Sequence, residues 1–240
     1  MEDIRKTRVS VIISAFNEEG NIKECIQRII RTMPNAEVVL VHGGKDRTAE
    51  IAREMKRKDK KYRNIKIVIN KNDRGKGHAT RVGIKNSKYD LMAQVDADCQ
   101  FPPEELPILI KPILDKKTEI VFASRYCKGA SYERNSVTRF ARLATWVDSF
   151  LTNMLSGYRL TDVNAGFKAW TRKAINAVDM KCDHFGYEPE IAVMASKRGY
   201  KIVEVPIHYK GREQGKSRVS LIMDGIKIMT YLFKVKFFRK

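Results

Sequence analysis

Short apolar, β-branched runs alternate with segments of helical period through the first third of the chain, and this alternation limits the available folds more than any other feature. Residues 9–14 (VSVIIS) lead into a polar loop at 15–21. Ile22, Cys25, Ile26, Ile29 and Ile30 then recur at helical spacing and stop before Pro34. Residues 36–41 predict a second strand, 48–58 a second helix and 65–69 a third strand. This β-α-β-α-β order predicts a mostly parallel sheet flanked by helices, with right-handed crossovers. A chain of 240 residues with 43% apolar content is long enough for one sizeable core and short for two, so one α/β domain is expected.

Charge narrows the partners. The formal charge of +19, from 47 Lys and Arg against 28 Asp and Glu, implies polyanionic company: nucleic acid, an anionic membrane surface or phosphorylated substrates. The sequence has no zinc finger, no RNA-binding aromatic signature and no GXXG clamp, so nucleic acid is not expected. Cys25, Cys99, Cys127 and Cys182 form no C-x-x-C pair, and the four histidines show no metal spacing. The N-terminal MEDIRKTR runs into a strand without a signal-peptide core, and no apolar stretch reaches membrane-spanning length; a cytoplasmic protein is expected.

The chemistry is concentrated in residues 91–106, LMAQVDADCQFPPEEL, where an apolar run stops at Asp96 and Asp98. In an extended segment the i, i+2 spacing puts both carboxylates on one face. Such hard oxygen ligands suit Mg²⁺ or Mn²⁺ bound together with substrate phosphates. The competing view is a solvated turn. Context favours a site, because a strand precedes the pair and Pro102 and Pro103 suit the first turn of a following helix. That places the pair at a strand's carboxyl end, where open α/β sheets bind ligands.

Residues 72–79 (NDRGKGHA) form a glycine-punctuated loop entering a helix, able to approach an anion closely or to be an ordinary turn. Residues 103–114 are expected to be helical and 119–124 a strand. Residues 128–135 lack periodicity and read as a mobile loop over the site. Phe140, Leu143, Val147, Leu151 and Leu155 fit an amphipathic helix, a pattern whose apolar stripe ordinarily faces a core, with Arg139 and Arg142 sharing a face. Pro206 marks the strand at 201–207 as an edge or strand end. Residues 210–218 form a basic loop with donors for phosphate oxygens. The tail at 219–240 is too charged to span a bilayer. It reads either as a basic helix in the headgroup plane or as a core-packing terminal helix.

Seven segments, VSVIISAFNEEGNI, RGKGHATRVGI, VDADCQFPPEEL, FASRY, TDVNAGFKAW, GYEPEIAVMASKRGYKIVEVPI and REQGKSR, occur in an order that resembles the family 2 glycosyltransferases. The likeness is greatest to the dolichol-phosphate mannose synthase group, which transfers a sugar from a nucleotide-sugar to a polyprenyl phosphate. It covers residues 8 to about 220. It implies a GT-A catalytic domain over 1–218, an inverting transferase peripheral on the cytoplasmic face of a membrane, and a Mg²⁺ or Mn²⁺ cofactor.

Residue by residue, the resemblance implies that Asp96 and Asp98 hold the metal and the donor, with Gln100 nearby. Asn17 and Glu18 border the nucleotide, and His42 and Lys76 complete the donor-binding set. Arg125 and Arg139 face the acceptor phosphate, joined by Ser217 and Arg218. Asp98, Arg125 and Arg212 carry the catalytic role. Glu190 is a candidate base only for a hydroxyl acceptor. One departure stands out. Where the family has V-D-D-x-S-x-D-x-T after the second strand, with carboxylates that help hold the nucleoside, this chain has Val41–His42–Gly43–Gly44–Lys45–Asp46–Arg47–Thr48. The sequence therefore leaves the choice between uracil and guanine open.

Overall fold

The expected alternation is built as β1 (Ser10–Ala15), α1 (Ile22–Thr32), β2 (Glu37–His42), α2 (Thr48–Lys58), β3 (Ile65–Ile69), α3 (Lys76–Asn86) and β4 (Leu91–Gln94). Beyond it come α4 (Leu106–Leu114), β5 (Ile120–Ser124), β6 (Ser131–Tyr132), α5 (Arg139–Ser156), β7 (Lys168–Thr171) and α6 (Arg172–Val178). The chain closes with α7 (Tyr187–Lys197), β8 (Ile202–Pro206), β9 (His208–Tyr209) and α8 (Leu221–Phe238). The computed structural model describes residues 3–134, 136–211 and 221–239, and the side chains of 221–229 lie outside that description.

Seven strands form one sheet in the order β3-β2-β1-β4-β7-β5-β8. The β1–β2, β2–β3, β1–β4 and β5–β8 ladders are parallel, and β7 runs antiparallel to both its neighbours. Strand alternation divides β1 between two cores. Val11 and Ile13 pack with Ile22, Ile26 and Ile29 of α1 and with Leu106 and Leu109 of α4 on one face. Ile12 packs with Val39, Val41, Ile191 and Trp170 on the other. Pro206 does end an edge strand, where its missing N–H leaves no ladder position unfilled.

Three departures from the sequence reading have physical causes. β7 carries a lysine in a four-residue strand, so it gives no period-2 signal; Lys168 is nevertheless fully buried. The segment expected to be a mobile loop contains β6, whose ladder to β9 ties residues 131–132 to 208–209.

The third concerns α5, whose expected stripe is divided: Phe140, Leu143 and Val147 are turned outward, whereas Leu151 is half-buried and Leu155 is buried. Its buried positions are Thr145, Ser149, Thr152, Leu155 and Ser156, whereas Phe140, Leu143, Trp146, Phe150 and Met154 are 50–68% exposed. The hydroxyls make this inward burial tolerable: Thr145 and Ser156 return hydrogen bonds to Ala141 and Thr152 carbonyls, and Ser149 accepts from Val163 N–H. Helix α8 packs against α5 and α7, with Leu232 and Val235 buried and Phe233, Phe237 and Phe238 exposed. The described part of the tail therefore contributes to the core.

Candidate active site

β4 ends at Gln94, and the chain turns immediately beyond it, closed by Cys99 N–H donating to the Asp96 carbonyl at 3.3 Å with Cys99 at φ 54°. Asp96 and Asp98 therefore lie in a turn and not in an extended segment, and the same-face argument does not apply to them. Each carboxylate has its own surroundings. Asp96 meets the Lys76 ammonium at 2.9 Å, and Lys76 also reaches Glu188 at 3.4 Å. Asp98 accepts from Gln100 N–H at 3.2 Å and lines a small cleft with Asn21, Glu24, Arg28, Lys210 and Gly211. Gln100 is buried, its carbonyl accepting from Lys210 N–H at 2.8 Å.

The loop before β7 backs this turn. A Cβ on Gly166 would stand 1.9 Å from Asp96 Oδ2, so only glycine lets the carboxylate rest there. Lys168 holds the loop in place: its ammonium donates to the Val163 and Ala165 carbonyls and lies 4.0 Å from Glu188. Burial lowers the Lys168 pKa. Burial also opposes the charge on Lys76, but Asp96, Tyr187 and Glu188 outweigh it and hold that pKa well above the ordinary lysine value. Gln94 Nε2 donates to the Gly166 carbonyl at 3.2 Å and to Tyr187 Oη at 2.7 Å, and Tyr187 Oη donates to Glu188 at 2.9 Å. The sequence reading missed Gly166, Lys168, Tyr187 and Glu188 as a group, because contacts across β4, β7, α3 and α7 leave no spacing signal.

Across the sheet, the loops after β1, β2 and β3 interlock. Asn17, at φ 58°, accepts from Lys45 N–H at 2.9 Å, and Glu18 N–H donates to Thr48 Oγ1 at 2.9 Å. Asp46, retained from the family pattern, accepts from Glu19 N–H and from the Thr48 hydroxyl and N–H. Burial raises its pKa, and those hydrogen bonds more than offset that, leaving it lowered. His42 is 5% exposed, with Nε2 3.9 Å from Asp46. Asn17, Glu18 and His42 thus share one end of the sheet with Lys76 and the two aspartates, all beyond strand carboxyl ends or at a helix start.

Arg125 is placed differently from a free phosphate ligand. Its Nε and Nη2 bind the fully buried Asp162 at 2.6 and 2.8 Å, and its guanidinium lies 5.1–5.7 Å from the rings of Tyr209, Tyr126 and Phe101. Burial works against its charge, yet Asp162 raises its pKa. Two of its three nitrogens are thus committed to a structural pair. Arg139 is exposed at the first turn of α5. Glu190 is not available as a base: it is fully buried, accepting from Lys181 and Cys182 N–H and from Tyr231 and Arg239. Arg212, Ser217 and Arg218 lie outside the described residues.

Among the described residues no cluster of three or more His, Cys, Asp or Glu could hold a metal alone. The donor set nevertheless suits a hard cation completed by phosphate oxygens. It offers two carboxylates beyond β4, one seated in a cradle that a Cβ would fill.

Comparison with known proteins gives the family and the fold. The family model described as Glycosyl transferase family 2 matches residues 10–178. An undecaprenyl-phosphate mannosyltransferase of Micrococcus luteus is 26% identical over 220 residues, 89% of this chain and 88% of that protein. A UDP-N-acetylglucosamine–dolichyl-phosphate N-acetylglucosaminyltransferase of Methanococcus voltae is 28% identical over 243 residues, 95% of this chain and 96% of that protein. Among solved structures, glucosyl-3-phosphoglycerate synthase of Mycobacterium tuberculosis, in complex with Mn²⁺, UDP and glucosyl-3-phosphoglycerate, superposes with a TM-score of 0.72. It is 16% identical and covers 95% of this chain and 79% of that one. The likeness is one of fold, the GT-A architecture expected from the sequence.

Proposed function

The chain belongs to glycosyl transferase family 2 and is a glycosyltransferase, and from that premise we propose that it moves a sugar, with inversion, from a nucleotide-diphospho-sugar to a polyprenyl phosphate at the turn around Asp96 and Asp98. An acceptor phosphate oxygen attacks the anomeric carbon as the bond to the diphosphate breaks, and the electron pair departs with the nucleoside diphosphate. A phosphate monoester with a second pKa near ~6 is already largely dianionic at neutral pH, so no general base is required. This agrees with the burial of Glu190. Asp96 and Asp98 would hold a divalent cation, Mg²⁺ or Mn²⁺, which when bound would supply charge neutralisation for the leaving diphosphate. Lys76, kept charged by Asp96 and Glu188, brings a second positive group to the same phosphates. Gly166 and Lys168 keep the Asp96 carboxylate in position.

The observation that carries the lipid acceptor is the outward face of α5. Five large apolar side chains, with Trp146 and Phe150 stacked at 5.6 Å, cover a helix whose inner face carries Asp148, hydrogen bonded to Asn164 two residues before Gly166. Exposed apolar surface of this extent marks an interaction site. Arg139 and Arg142 at the start of the helix are exposed, and Phe233, Phe237 and Phe238 are exposed on α8, which packs against α5. Aromatic and aliphatic groups rimmed by cations suit an anionic membrane interface. Among the described residues no helix is long and apolar enough to cross a membrane. The protein is thus proposed to sit peripherally on the cytoplasmic face, with α5 against the bilayer and the acceptor phosphate delivered beside Asn164 and Gly166.

Replacing Leu143, Trp146 and Phe150 together by serine tests this. These side chains are 50–61% exposed, so folding should be retained. Each forfeits on the order of 1 kcal/mol of membrane burial, so partitioning onto anionic vesicles is expected to fall at least tenfold, and transfer to vesicle-embedded polyprenyl phosphate with it. Unchanged partitioning would remove α5 from the membrane surface, and a loss of dimerisation instead would assign the face to a second copy of the chain.

A further inference from the structure

We propose that Asp73 has taken over the place of the side chain missing at Gly43, and that it makes this a uridine-selective donor site. The inference rests on the nucleotide-sugar reading above and names the base. A Cβ on Gly43 would lie 2.4 Å from Asp73 Oδ2, 2.7 Å from its Cγ and 2.8 Å from its Cβ. The carboxyl group from the loop after β3 therefore fills the volume that a residue-43 side chain would occupy at the end of β2. The site is built and not a chance approach. Asp73 Oδ1 accepts from Asn70 Nδ2 at 3.0 Å and from Gly75 N–H at 3.2 Å, and the side chain is only 15% exposed. Asn70 is in turn fixed by its N–H, which donates to the His42 carbonyl at 2.8 Å.

Two polar atoms remain unused at this place among the described residues. Asp73 Oδ2 has no protein hydrogen bond, and His42 Nδ1, next in the chain to Gly43, is buried without a partner. Leaving the buried His42 Nδ1 unpaired costs about 1–3 kcal/mol, whereas Asp73 Oδ2 is partly exposed and open to a ligand. β2 lies two strand spacings, about 10 Å, from β4. That is the direction and reach of a nucleoside extended from a diphosphate held at Asp96 and Asp98.

The hydrogen-bond inventory then selects the base. Guanine presents adjacent N1–H and N2–H donors and is best met by both oxygens of a carboxylate. Asp73 has one oxygen occupied by Asn70 and Gly75 and offers only the other. Uracil presents a single N3–H flanked by carbonyls, which matches the one carboxylate oxygen that Asp73 leaves open. Cytosine has no proton on N3, so it sets an acceptor against the carboxylate.

Calorimetric titration of the full chain with UDP, GDP and CDP in the presence of Mn²⁺ tests the assignment. UDP is expected to bind at least tenfold more tightly than either of the others. In Asp73→Asn, the donors from Asn70 and Gly75 fix the amide oxygen toward themselves and turn the NH₂ group toward the base. The UDP-to-CDP affinity ratio is expected to fall at least tenfold. Equal or tighter binding of GDP by the unmodified protein, or an unmoved ratio in Asp73→Asn, would overturn the base assignment alone. Binding of none of the three nucleotides would overturn the nucleotide-sugar reading together with it.

Discussion

Asp98→Ala is expected to lower sugar transfer by about 10²–10³-fold, the usual cost of removing a preorganised electrostatic group from a site where charge develops, while the fold survives. Asp98 is the better probe of the pair because the ion pair to Lys76 belongs to Asp96, whereas Asp98 accepts a hydrogen bond from Gln100 N–H, worth about 1 kcal/mol. Asp96 is entangled with Lys76, and its removal would leave that ammonium leaning on Glu188 alone, confusing a loss of chemistry with a local rearrangement. The measurement is initial transfer rate alongside thermal unfolding. A rate near that of the unmodified protein would remove the metal-site argument.

The second large effect is on stability. Asp162→Ala should destabilise the protein by ~3–5 kcal/mol, since it strands Arg125 without the buried carboxylate that its fork grips. Denaturant unfolding of Asp162→Ala, Arg125→Leu and the double variant measures it. Because each single change breaks the same pair, the double variant should cost clearly less than the sum of the singles. Stability close to that of the unmodified protein in Asp162→Ala would mean that the pair is not structural. It would also return Arg125 to the acceptor phosphate, the role the sequence resemblance implies for it.

Arg125 also illustrates what could be read from the chain before its fold was known. Strand and helix periods placed β1, α1, β2, α2 and β3 to within a residue or two, because each carries its own apolar pattern. The place of Asp96 and Asp98 just beyond a strand was legible because an apolar run leads into them. Contacts made by folding were not legible. Nothing in S-R-Y announces that the arginine will be bound by Asp162, 37 residues away. The glycine at 43 reads as a lost carboxylate until Asp73 is seen lying over it. Helix α5 was legible only in part: apolar positions keep the same period whether they face inward or outward, and Phe140, Leu143 and Val147 lie outward while Thr145, Ser149 and Thr152 lie inward.

Transfer to a lipid phosphate is followed by the movement of label from donor to lipid. Purified protein is supplied with radiolabelled UDP- and GDP-sugars, polyprenyl phosphate in vesicles, and Mg²⁺ or Mn²⁺, with and without a chelator. Organic-extractable label is expected from a UDP-sugar, abolished by chelation and by Asp98→Ala. Label that stays in the aqueous phase with every donor, while UDP still binds, would contradict transfer to a lipid phosphate.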